Sequence, residues 1–207
     1  MLLRLGWTTV LFLLLVLASP PAQADTVTVY DFEGFDDLTS LTTQYSGLAF
    51  SNTIILTAGI SINELEFPPH SGVGVASDDG GPISVSFAVP VLSFGGYFTY
   101  ALPLTLTGFD ALNNQIAAAN TAFSSNDGLY GDPGSSPNEF VSIAFAQGIS
   151  SVTITGSPEG GSFVLDDATL TTESSAVPEP SSFYLLLNLV GGFLLVSFRK
   201  RLFCKSL

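Results

Sequence analysis

The amino-acid sequence predicts an all-β protein built as an antiparallel two-sheet β-sandwich, with one apolar segment at each end of the chain. Three observations carry this. Between residues 25 and 172, apolar residues alternate with small polar ones in short runs, the period of strands with one dry and one wet face. Clusters of Gly, Pro, Asn and Asp part the runs at intervals of about ten to twenty residues, a spacing that suits antiparallel hairpins better than βα units. No long amphipathic helix is visible.

The first strand lies in "TVTVYDFEG", alternating at Val27, Val29 and Asp31. "PISVSFAVP" repeats the pattern at Ile83, Val85, Phe87 and Val89, and "LTLTGFDA" at Leu104, Leu106 and Phe109. In "ALNNQIAAANTAF" the Ala content would suit a short helix, yet Asn113-Asn114 resembles a hairpin turn, so a strand is expected from Gln115. "FVSIAFA" alternates at Val141, Ile143 and Phe145, "SVTITG" at Val152 and Ile154, and "SFVLDDATL" closes the domain. Turns are expected at "DDGGP", "SFGG", "NDGLYGDPGSSPN" and "SPEGG". No repeat of propeller or solenoid length is present.

Charge is partitioned along the chain. All five basic residues, Arg4, Arg199, Lys200, Arg201 and Lys205, lie in the terminal segments, and all 18 carboxylates lie between residues 25 and 180. A domain without Lys or Arg has nothing to neutralise phosphates, which excludes nucleic-acid binding. The sole cysteine, Cys204, lies beyond the second apolar segment, so the central domain is expected to stand without a disulfide. At the front, Arg4, an apolar core, Pro20-Pro21 and the Ala22-Gln23-Ala24 triplet read as a secretory signal peptide over residues 1–24. The expected organisation is then a β-sandwich at 25–172, a linker at 173–182, a transmembrane helix at 183–198 and a basic cytoplasmic tail at 199–207. The apolar span would reach on the order of 24 Å as a helix, enough for a thin bilayer. Arg199, Lys200 and Arg201 at its end would hold that side in the cytoplasm and leave the acidic domain outside.

Val177, Pro178, Glu179 and Pro180, then one apolar helix, then a terminal basic cluster, resemble the PEP-CTERM sorting signal of Gram-negative bacteria. The resemblance covers about 30 residues. It implies an exosortase-type membrane protease as partner, which would act at the Pro-Glu-Pro segment, remove the helix and pass the chain to the cell surface or extracellular matrix. Such systems accompany exopolysaccharide, so the expectation is a non-enzymatic structural or glycan-binding component of a biofilm.

A first strand bearing Phe32-Glu33 and a last strand bearing Asp166-Asp167 resemble the jelly-roll family that includes many carbohydrate-binding modules. In several of those, acidic residues of the first and last strands bind a structural calcium ion. The resemblance implies Glu33 and Asp166 as ligands of Ca2+, with Asp31 or Asp167 as helpers.

Catalytic patterns are absent: no G-x-S-x-G elbow, no H-E-x-x-H, no Walker loop. His70, in "FPPHSG", is the sole histidine and reads as a loop residue with no orienting acid in its sequence context. The alternative function, a small secreted glycoside hydrolase, would draw its two carboxyl groups from Glu64, Glu66, Asp78, Asp79, Asp110 and Glu139. Trp7 lies in the signal segment, so a sugar-stacking surface would have to come from Tyr45, Tyr97, Tyr100 or Tyr130, residue types that equally serve as core.

Overall fold

The computed structural model describes residues 24–173. The expectations for the signal peptide, for Val177 to Pro180, for the apolar helix and for Arg199 to Arg201 lie outside the described residues. Within them every regular element is a strand: β1 (Thr26–Tyr30), β2 (Leu48–Ser51), β3 (Thr53–Thr57), β4 (Gly74–Asp79), β5 (Ile83–Tyr100), β6 (Thr105–Phe109), β7 (Gln115–Asn120), β8 (Glu139–Thr155) and β9 (Gly160–Thr172). All pairings are antiparallel, in the order β3-β4-β9-β5-β8-β6-β7, with β1 joined to β9 and β2 to β5.

The two long strands make this single hydrogen-bonded network a sandwich. In the first half of β5, Ile83, Val85, Phe87 and Val91 are buried, all odd positions; in the second half Phe94, Phe98 and Tyr100 are buried, all even. β8 changes parity in the same way, from Val141 and Ile143 to Val152 and Ile154. The change falls where the β5–β8 register shifts, between Ser86 and Ser93. There the exposed Val89 and Pro90 lie beside Gly148, whose positive φ of 92° few other residues adopt. One core gathers residues of both halves, such as Ile83, Val85, Phe94, Phe98, Leu106, Ile154 and Phe163, so the sheet is folded onto itself around that core.

Most of the expected strands form, and Asn113 with φ 62° makes the β6–β7 hairpin. Two expectations need correction. "SFGG" is no turn: Ser93 to Gly96 lie inside β5, and the glycines are there for close approach. A Cβ on Gly95 would stand 2.6 Å from the Ser142 Cβ across the ladder, and one on Gly96 2.4 Å from Leu165 Cδ1. Val27 and Val29 do not face the core but are 61% and 53% exposed, because β1 pairs only with β9 at the sheet margin. Val89 is likewise exposed, at the bend of β5.

A smaller apolar cluster lies on the outer side of β4 and β9. Val75 and Val164 meet Ile62, with Leu56, Ala58 and Phe67 against them. It anchors the long β3–β4 connection, residues 58–73, over the sheet, and the far end of that connection carries His70 and Ser71.

Candidate functional site

The site starts from an irregularity in β9. Gly95 pairs with Thr169 and Tyr97 with Asp166, so Asp167 and Ala168 together stand against Gly96 alone. This is a β-bulge, and Asp167 takes the left-handed conformation, φ 47°, that lets it absorb the extra residue. The consequence is orientation. Leu165 and Ala168 both enter the core, which leaves Asp166 and Asp167, neighbours in sequence, on the same outer side. A regular strand would have sent them to opposite faces.

Both aspartates are satisfied by the 58–73 connection and by their own strand. Asp166 is buried; its Oδ2 accepts the Ser71 N–H at 2.8 Å and its Oδ1 the Asp167 N–H at 2.7 Å. Burial pushes its carboxyl up to about 6, with the neighbouring Asp167 charge adding to the rise and the amide donors opposing it. Asp167 accepts from the Ser71 hydroxyl at 3.0 Å and from His70 Nδ1 at 2.7 Å. The carboxylate therefore fixes the imidazole with its proton on Nδ1.

Glu33 grips the same connection three residues further on. Its Oε1 accepts the N–H groups of Val73 and Gly74, each at 2.7 Å. Successive amides converging on one oxygen form an anion-binding nest, and Gly72, at φ 50°, opens it: a Cβ there would stand 2.2 Å from Glu33 Oε1. Asp31 takes no part in this grip; its Oδ1 accepts the Glu33 N–H at 3.2 Å and shapes the turn after β1.

Of the four residues expected as calcium ligands, Glu33, Asp166 and Asp167 each bond to residues 70–74, whereas Asp31 stays in the turn after β1. As they stand, they do not fit the ion. Both oxygens of Asp166 and both of Asp167 face hydrogen-bond donors of the chain, and Glu33 Oε1 faces two. Among the described residues no three His, Cys, Asp or Glu side chains converge in a way that would hold a metal ion.

Held in this way, the His70 ring lies flat on Tyr97, with centroids 3.4 Å apart and planes 7° from parallel. Tyr97 stands opposite Phe140 in the β5–β8 ladder, the two rings 5.1 Å apart and edge-on. Phe140 is 49% exposed. Three rings from two strands and a loop thus make a partly exposed aromatic surface, with Ser71 and Asp167 on its polar border. Sequence reasoning missed Phe140. The signal was present: in "EFVSIAFA" it occupies the parity opposite to the buried Val141 and Ile143.

The other candidates fall elsewhere. Tyr100 is core, its hydroxyl bonded to Glu139 and its pKa pushed up to about 12, by burial first and by that carboxylate second. Tyr45 packs edge-on against Tyr30 and Phe35. Tyr130 is exposed on the 121–138 connection. The carboxylates weighed for hydrolysis serve the scaffold: Asp78 is buried and accepts from Ser162 and Phe163 at the β8–β9 turn, Asp110 ties the β6–β7 turn through Leu112 and Asn114, and Glu139 also holds the Ala122 amide. Glu66 bonds to Asn63 within its own turn, and Glu64 lies close to Gly59. Asp79 is exposed at the end of β4.

No protein-family model matches the chain, and a search of the curated proteins finds no match. Among solved structures it is similar at low identity to binding and adhesin domains. The K1 cleaved adhesin domain of Lys-gingipain from Porphyromonas gingivalis matches at 8% identity and TM-score 0.43, covering 72% of this chain and 99% of that one. A DUF4465 family protein from Bacteroides caccae matches at 13% and 0.46, covering 72% and 100%. A family 35 carbohydrate-binding module from Clostridium thermocellum matches at 14% and 0.34, covering 70% and 97%.

Proposed function

We propose that the chain is an exported, non-catalytic protein whose β domain binds glycan through the His70, Tyr97 and Phe140 surface. In this reading Val177 to Pro180 and the segments after them are a PEP-CTERM sorting signal, cut by an exosortase-type protease, that delivers the domain to the cell surface or an exopolysaccharide matrix. The observation that carries the binding reading is the His70–Tyr97 stack beside the half-exposed Phe140. Partly exposed rings edged by hydroxyl and carboxylate groups match a sugar ring, which presents an apolar face of C–H groups and a rim of hydroxyls. The absence of Lys and Arg between residues 25 and 180 favours neutral polymers over anionic ones.

Affinity electrophoresis of the full chain in gels containing neutral polysaccharides tests this. Retardation is expected in at least one neutral glucan, mannan or galactan, and Phe140→Ala should weaken it by about tenfold, a loss of about 1.4 kcal/mol. Migration unchanged by every polymer, or retardation that survives both Phe140→Ala and Tyr97→Ala, would remove the assignment. Mass spectrometry of the protein from its own host tests the sorting: a C-terminus near Pro180 supports processing, whereas an intact Leu207 argues for a retained anchor.

A further inference from the structure

The carboxylates that the first and last strands bring together are closed by backbone and side-chain donors of the chain, and this has a consequence for how the binding surface is built. We propose that residues 70–74 take the place of a cation: the segment is a metal-independent clamp, and Glu33 and Asp167 are positioning residues that hold His70 on Tyr97.

The chemistry is that of an anion site satisfied from within. A divalent ion would supply positive charge to several carboxylate oxygens at once. Here two N–H groups supply partial charge to Glu33 Oε1, a third reaches Asp166 Oδ2, and the Ser71 hydroxyl and His70 Nδ1 complete Asp167. These donors sit on consecutive stretches of one loop, so the carboxylates fix its path as a metal would. Gly72 is specific to this solution, since a side chain at that position would strike the Glu33 carboxylate before the nest could close. The end of the path is functional. His70 has no strand to hold it, and its plane on Tyr97 is set by Asp167 on one side and by the loop that Glu33 secures on the other.

The inference rests on the proposed reading of the aromatic surface, but it can be tested without a glycan. His70 is the sole histidine, so its imidazole protons are a single, assignable NMR probe. Stacked on Tyr97, they are expected well upfield of their random-coil positions in the full chain in detergent micelles. At a fixed physiological ionic strength, EGTA, and calcium at the millimolar level that fills extracellular oxygen-ligand sites, should leave those signals and the melting temperature unchanged. Glu33→Ala and Gly72→Ala should abolish the upfield displacement. Glu33→Gln should keep most of it, because an amide oxygen still accepts the Val73 and Gly74 N–H groups. A calcium-saturable movement of the His70 signals, or a melting temperature raised by calcium in the wild type and not in Glu33→Gln, would overturn the clamp. So would a Glu33→Ala variant that folds with the His70 signals undisturbed. If Glu33→Ala fails to fold, the wild-type calcium titration and Glu33→Gln still decide. Unchanged His70 signals in a chain that binds no polysaccharide would sink the glycan reading alone; glycan binding that requires calcium would sink the clamp alone.

Discussion

Asp166 shows how one buried carboxylate ties stability to pH. Its pKa is raised from 3.8 to about 6 in the folded chain, so the folded state holds this proton more tightly than the unfolded one. The resulting stabilisation is complete below about pH 3.8 and is lost as the pH rises through about 6. Asp166→Asn, which has no proton to lose, should flatten that part of the curve: its melting temperature relative to wild type should rise between pH 4 and pH 7, as calorimetry at matched ionic strength would read. Asn126 is the other residue on which much rests. It is fully buried on the 121–138 connection, where its Oδ1 accepts the Tyr100 N–H at 2.7 Å and its Nδ2 donates to Phe98 O and Ser136 O. Asn126→Ala strands these groups and should cost about 2–3 kcal/mol in urea unfolding. The resemblance to a jelly roll put Glu33, Asp31, Asp166 and Asp167 together as one ligand set; in the fold Glu33, Asp166 and Asp167 reach residues 70–74 and Asp31 does not. The sequence did not reveal what fills their oxygens, since the donors at Ser71, Val73 and Gly74 lie some 40 residues from Glu33 and 95 from Asp166.

At the scale of strands, alternation located most of the ladder but not its bends. "SFGG" looked like a turn because glycine pairs usually mark one; here they mark crowding, and a buried long strand with glycine inside it has the same local sequence as a break. Gly95→Ala should therefore cost about 1–3 kcal/mol by forcing β5 from β8, measurable as a fall in the urea midpoint with the slope unchanged. Val27 and Val29 misled for a different reason: period two marks a strand, but whether its apolar side is covered depends on layers that only the tertiary fold supplies. The β-bulge at Asp167 escaped notice because "LDDA" carries no glycine, and its left-handed residue is an aspartate, one of the few others that tolerate that conformation.

Taken whole, the β domain holds all the chain's carboxylates except Glu173 and Glu179 and, apart from His70, has no side chain that could carry positive charge against them. Among the described residues the one contact of ion-pair geometry is that of His70 Nδ1 with Asp167 Oδ2, at 2.7 Å. Self-repulsion of this size is long-ranged and should be screened by salt, so the melting temperature is expected to climb as sodium chloride is raised from low to physiological ionic strength. A melting temperature that falls or stays level over that range would show that the charges are spaced too widely to matter. The pairing of Thr26 with Thr172 bears on a different load. Tension applied between those two points would open the β1–β9 ladder from its end, one bond at a time, instead of straining all its bonds together. A chain loaded at those two points would thus yield first at the strand that covers least, leaving the hydrophobic interior and the aromatic platform intact.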